Sequence, residues 1–218
     1  MSPRKGPVCI NLPRNILAEK SKFKINENKI SYEKQSSMSA KSNLIIKAVK
    51  LISKSNKGII IVGGGIKYNS KYKIIIKLAK LLNIPIITAA GHGDAIPFDH
   101  KLNAGQMGPR GNSVASRLAK EADVIIALGT RLGFNSTFYS YENINKKAKI
   151  IQVELEKKML GRYFPISIGI HADAALTANQ IYKQIKKQKI VLNVKKWTNS
   201  YLKERSKFLF DRNKMQSK

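Results

Sequence analysis

Short runs of β-branched residues, separated by segments of helical period, constrain this chain more than any other feature. The clearest is GIIIVGGG at residues 58–65. A continuous run of this kind ending in glycines is a strand buried on both faces. Further runs follow at Ile84–Thr88, Asp123–Leu128 and Lys149–Val153, and RYFPISIGI leads to a short fifth. Between them the apolar residues recur at helical spacing. Leu44, Ile45, Ala48, Leu51 and Ile52 form one such face, with Ser39 or Ser42 as its expected cap. Others run from about Ser70 to Leu82, from Asn112 or Ser113 to Glu121, and from an Asp173 N-cap to about Lys187. The alternation predicts an α/β fold: a doubly wound, mainly parallel sheet with helices on both faces over about residues 41–188.

Outside this region lie two appendages. Pro7–Leu12 reads as a detached N-terminal strand, followed over residues 17–40 by a Lys-, Asn- and Ser-rich linker. A C-terminal amphipathic helix begins near Lys195 and carries Trp197, Tyr201, Phe208 and Leu209.

Composition narrows the function classes. An apolar fraction of 43% suits a folded core. The longest apolar run, Gly58–Ile66, is far short of the ~20 residues that span a bilayer. No secretory leader follows Met1, and the single Cys9 has no internal disulfide partner. A cytoplasmic protein without membrane contact is expected, with Cys9 as a small buried apolar residue. The net charge of +28 invites a nucleic-acid reading. The lysines are spread over nearly every segment, however, and no nucleic-acid module signature accompanies them. Lys, Ile and Asn are abundant together, as A/T-rich codons produce. No specific nucleic-acid partner is expected, only adhesion to polyanions at low salt.

In doubly wound sheets, ligands sit beyond the carboxyl ends of the strands. Four loops there carry candidate chemistry. Gly63, Gly64 and Gly65 either let a phosphate approach the backbone or simply form a tight turn. They are not a full dinucleotide fingerprint, since Tyr68 stands at the third glycine position. The second loop, residues 89–113, contains His92, Asp94, Asp99 and His100. Their spacing is not that of a metal site, and Asp99 and His100 read as loop hydrogen-bonders. Its run Gly105–Gly111 leads into a helix start at Asn112, where backbone N–H groups make an anion site. The third places Arg131 just past a strand end, suited to a phosphate or to a neighbouring carboxylate. The fourth puts Glu154 and Glu156 after a strand, as ribose acceptors or as solvated carboxylates. No catalytic triad or reactive-cysteine context stands out.

The order of these pieces is more specific than any one of them. GPVCINLPRNI, GIIIVGGGI, LLNIPIITAAGHGDAIPFDHKLNAGQMGPRGNSVA, EADVIIALGTRL, AKIIQVELE and GRYFPISIGIHADAA together resemble the thiamine-diphosphate enzymes of the acetolactate synthase type, and narrowly their central domain. The stretch GTRLGFNSTFYSY is similar to the sulfoacetaldehyde acetyltransferase branch. The resemblance covers roughly residues 4–16 and 42–180.

It implies a three-domain parent with pyrimidine-binding, central and pyrophosphate-binding domains. Residues 1–16 would then be the remnant of the first, 17–40 a linker, 41–188 the central domain and 189–218 a linker helix toward the third. The parent reaction would be thiamine diphosphate- and Mg2+-dependent C–C cleavage of a 2-keto acid or sulfoacetaldehyde with acyl transfer. Both catalytic half-sites are expected outside this chain; its one Gly-Asp pair, Gly93-Asp94, continues as Ala95. In the family the central domain binds FAD, ADP or nothing; by resemblance, FAD or ADP contacts would fall at Gly63, Gly64, Gly65, Gly108, Gly111, Gly129, Arg131, Glu154, Glu156 and Asp173. Three motifs depart from the usual: Asn15 stands where Asp is usual in GPVCINLPRN, ELE stands for DID, and ADA for GDA. The implied partners are a further copy or complementary pyrimidine- and pyrophosphate-binding domains. A nucleotide-binding or assembly module without catalysis is the alternative.

Overall fold

Six strands make up the sheet among the described residues: Gly58–Val62 (β1), Ile86–Thr88 (β2), Asn103–Gln106 (β3), Val124–Leu128 (β4), Lys149–Glu154 (β5) and Ile168–His171 (β6). Seven helices accompany them: Arg14–Ala18 (α1), Ser42–Ile52 (α2), Tyr72–Leu82 (α3), Ser113–Glu121 (α4), Phe134–Thr137 (α5), Ala174–Gln188 (α6) and Lys195–Gln216 (α7). The computed structural model describes residues 9–20, 22, 38–67 and 71–216. It divides into two units, residues 1–37 and 38–218.

In the second unit every strand pair is parallel and the order is β3-β2-β1-β4-β5-β6. β1 and β4 lie at the centre and are buried at every position. That burial explains their unbroken Ile and Val runs, because a strand covered on both faces has no polar side to show. Helices α2, α3 and α6 pack together, and α4 packs with α7 and β3. Two of the helix ends are set by side chains. Asn112 accepts from the Ala115 N–H at 2.7 Å to start α4. Asp173 accepts from the Ala175 and Leu176 N–H groups at 2.9 and 3.0 Å to start α6.

Helix α7 is tied to the sheet through backbone carbonyls. Trp197 Nε1 donates to the Gly58 carbonyl at 3.0 Å, and the Tyr201 hydroxyl donates to the Lys101 carbonyl at 2.7 Å. Arg205 donates to the carbonyls of Asn103 and Phe98 at 3.0 and 3.2 Å. Tyr201 is fully buried, and that burial pushes its phenol pKa up.

Four expectations are corrected. The sheet has a sixth strand, β3, inside what reads as loop; its sequence NAGQ has no β-branched residue. It is held instead by β2, by a register shift, and by Asn103, whose side chain donates to the Ile96 and Pro97 carbonyls and accepts from Gly105. The N-cap of α2 is Lys41, without a side-chain bond, rather than Ser39 or Ser42. The detached strand is not present where it is described: residues 9–13 are irregular and lead into α1, while Pro7 and Val8 lie outside the described residues. A lone strand has no neighbouring backbone to pair with. Cys9 is exposed rather than buried, as are Ile10 and Leu12. Most of the expected linker, and the expected helix start at Ser70, also lie outside the described residues.

Candidate functional site

β1 is where the strand order reverses: β2 and β3 lie on one side of it, and β4, β5 and β6 on the other. The loops leaving β1 and β4 lie at the carboxyl edge, where ligands of doubly wound sheets bind. Residues 63–66 and 129–133 are those two loops.

They are built on each other. The Gly63 N–H donates to the Leu128 carbonyl, and the Gly65 N–H to the Gly129 carbonyl, both at 3.1 Å. A Cβ on Gly63 would stand 2.5 Å from the Gly129 oxygen, and one on Gly65 would stand 2.8 Å from the Gly129 Cα. Gly129 itself has φ +60°. Two of the three clustered glycines are thus required by the contact between loops. Gly64 differs: a Cβ there would meet only the His92 ring, at 3.0 Å.

Around Gly64 the side chains are mostly basic. Lys67 pairs with Asp94 at 2.8 Å. His92 is half-buried, and its Nδ1 is buried with no hydrogen-bond partner. Burial lowers the His92 pKa, and Lys67 and Arg131 lower it further against the opposing charge of Asp94. These effects favour the neutral imidazole. The Lys67 ion pair holds the Asp94 carboxyl below its ordinary value. Arg131 is exposed beside this group.

The other expected residues join the edge at different distances. Gly108, at φ +96°, closes on the Asn135 carbonyl, so the loop after β3 packs against α5. Gly111 donates to the Gly108 carbonyl at 2.8 Å and closes on Gln106, which makes it the end of a tight turn. Ser136 Oγ accepts from the Ala90 N–H, binding the loops after β2 and β4 together. Glu154 lies at the end of β5, about 10 Å from β1 by sheet spacing. Its Oε1 accepts from the Leu155 N–H, and Glu156 pairs with Lys158 at 2.9 Å. Asp173 is buried and engaged at both oxygens, by its own helix start and by Lys71 at 2.6 Å. The structure brings Gly63–Gly65, Gly129 and Arg131 into one place, sets Gly108 and Gly111 at its flank, and leaves Glu154, Glu156 and Asp173 toward β5, β6 and α6.

Lys67 and His92 are the members of the cluster that the sequence reading did not select. Lys67 has a legible signal, a cation two residues past the glycine run. His92 has none, because only the fold lays its loop over Gly64.

The arrangement suits an anionic ligand. Lys67 and Arg131 act on a ring that lies against a turn with little side-chain bulk, and an unsatisfied ring nitrogen is already present. It does not suit a metal ion: among the described residues no three His, Cys, Asp or Glu side chains come together. These residues do not fit magnesium, so no step of thiamine diphosphate chemistry is assigned to them. A separate cavity of about 440 Å3 opens at the opposite edge, beside Lys57, Arg117, Glu121 and Trp197. Three of its charged residues are paired, Arg117 with Glu121 at 3.3 Å and with Glu204, and Lys57 with Glu121 at 3.7 Å.

The loop after β4 also stores strain. Leu132, Phe138 and Tyr139 all have left-handed backbones, which side-chain-bearing residues rarely adopt. The fully buried Thr137 holds the loop by donating to the Leu132 carbonyl at 3.0 Å and accepting from the Tyr139 N–H.

Residues 45–181 match the family model described as thiamine pyrophosphate enzyme, central domain. The chain is 34% identical over 151 residues to sulfoacetaldehyde acetyltransferase of Castellaniella defragrans, covering 68% of this chain and 25% of that protein. It is 31% identical over 182 residues to the enzyme of the same name from Roseovarius nubinhibens, covering 83% and 30%. A probable acetolactate synthase large subunit of Methanococcus aeolicus is 29% identical over 194 residues, covering 84% and 31%. The chain spans about a quarter to a third of the length of these relatives.

Proposed function

Because the chain belongs to the thiamine pyrophosphate enzyme central-domain family, we propose that it is the nucleotide-holding scaffold of a thiamine-diphosphate-dependent acyl-transfer enzyme. The reaction of the whole protein is then cleavage and transfer on a 2-keto acid or sulfoacetaldehyde. Two relatives are named for sulfoacetaldehyde acetyl transfer and one for acetolactate synthesis, which supports both substrate classes. Thiamine diphosphate, held with Mg2+ on pyrimidine- and pyrophosphate-binding domains, would supply the carbanion chemistry. Those domains, or a further copy of the chain, are the proposed partners. A reducing, cytoplasmic setting completes the reading, consistent with a single cysteine.

The part assigned to this chain is the binding of an adenosine diphosphate moiety, as ADP or within FAD, at the loops leaving β1 and β4. One observation carries it: His92 lies against Gly64 at the reversal point of the sheet, and Lys67 and Arg131 both act electrostatically on its ring. The Gly64 turn lets a phosphate approach the backbone. Lys67 and Arg131 would neutralise it, with Gly108 and Gly111 shaping the flank and Glu154 and Glu156 reaching toward the sugar. Asp173 would act by positioning α6.

Isothermal titration with ADP, FAD and CoA tests this. Heat with ADP or FAD is expected, with affinity about tenfold weaker in Arg131→Ala. Absence of heat with all three ligands sinks the nucleotide assignment and leaves a scaffold role, which the packing of Gly63 and Gly65 on Gly129 favours by itself.

A further inference from the structure

The position of His92 adds a consequence for how such a ligand binds. Its ring lies against Gly64, the one glycine of the turn not taken up by Gly129. Nδ1 is buried and has no partner. The charged groups acting on the ring come from three segments: Lys67 after β1, Asp94 on the same loop as His92, and Arg131 after β4. Gln106 of β3 reaches this loop too, accepting from the Gly91 N–H at 3.2 Å, and carries no charge.

A buried ring nitrogen without a partner is costly to keep, about 1–3 kcal/mol for a typical polar group. Two changes relieve it: an acceptor brought to the ring, or protonation balanced by a nearby negative charge. A phosphate does both. It accepts a hydrogen bond, which compensates the ring for its burial, the first cause of its lowered pKa, and its charge offsets the smaller repulsion from Lys67 and Arg131. It also competes with Asp94 for Lys67, which frees that cation.

We propose that His92 takes up one proton from solvent when the ligand's diphosphate settles between Gly64, Lys67 and Arg131, so that the site binds its nucleotide together with a proton. The proposal rests on the nucleotide reading above. His92 is a positioning and specificity residue here: it rewards a ligand that brings dense negative charge to Gly64 over a neutral one of similar shape. By linkage, a site that gains a proton on binding also binds more tightly at lower pH, by at most about tenfold per pH unit for one proton.

The chain has three histidines, so the ring protons of His92, His100 and His171 can be followed separately by NMR across a pH titration. With saturating ADP or inorganic pyrophosphate, the His92 midpoint should move up by about one pH unit while the other two stay in place. Titration calorimetry in buffers of different ionisation enthalpy should show proton uptake near pH 7, and His92→Gln should abolish the part of it that exceeds the ligand's own phosphate titration. If ADP binds with measurable heat and the His92 midpoint does not move, the proton linkage is wrong and the nucleotide reading stands. If all three histidines move alike, the effect is general charge and the proposal also falls. If none of ADP, FAD, CoA and pyrophosphate produces heat, both readings fall. The wild-type titration decides the matter even if the variant folds poorly.

Discussion

A methyl group on Gly129 would meet the Gly65 Cα at 2.7 Å and would stand on a backbone at φ +60°. Gly129→Ala should therefore destabilise the domain by about 2–4 kcal/mol, from left-handed strain and overpacking together. Gly64→Ala meets only the His92 ring, a side chain that can move, and should cost about 1 kcal/mol or less. Urea unfolding of the two variants checks the difference, and equal losses would contradict the loop–loop contact as described. His92 and His100 give a second residue-scale prediction. Both have pKa values lowered first by burial. A lowered folded-state value means the unfolded chain binds more protons just below the ordinary histidine value of about 6.5. Stability should thus be full at pH 7.5 and fall as the pH drops through that range. The urea midpoint at pH 7.5 and 5.5 measures it, and the double variant His92→Gln/His100→Gln should flatten the change.

At the scale of elements, the strands and helices with strong internal signals were legible and the ones held by neighbours were not. β1 and β4 could be read because burial on both faces leaves its mark in every residue. α4 and α6 could be read from Asn112 and Asp173, whose side chains cap their own helices. β3 could not, since NAGQ is a strand only because β2 lies beside it. The candidate site was legible in part for the same reason. Gly63–Gly65, Gly129 and Arg131 each follow a readable strand, whereas the His92 loop reaches them only through the folded sheet. Asp173→Ala should lower stability by about 1–2 kcal/mol, through the lost cap and the stranded Lys71. Asp173→Asn, which still accepts from Ala175 and Leu176, should keep most of that loss away; calorimetric unfolding of the pair would show it. In α7, Tyr201→Phe leaves the Lys101 carbonyl without its donor and should cost about 1–2 kcal/mol. Trp197→Ala empties a buried site and should cost about 3–5 kcal/mol.

For the molecule as a whole, the net charge of +28 sets behaviour that no single site controls. The chain should be retained on heparin and on DNA of any sequence at low salt. Retention should fade as the screening length shortens to about 3 Å near 1 M salt. Competition by DNA of shuffled sequence should be as effective as by the original; a clear preference for one sequence would overturn this. Among the described residues no helix is long and apolar enough to cross a membrane. The ties between α7 and the sheet bear on a different matter, the timing of folding during synthesis. The partners Trp197 and Gly58 are 139 residues apart in sequence. At ~5–20 residues per second, roughly 7–28 s pass between the making of one and the other. Through that interval the nascent sheet lacks the helix that bonds to the carbonyls of Gly58, Lys101 and Asn103. Helix α7 is made after the carbonyls it bonds to and closes that part of the domain, and the chain waiting for it is the form most exposed to chaperones and to misassociation.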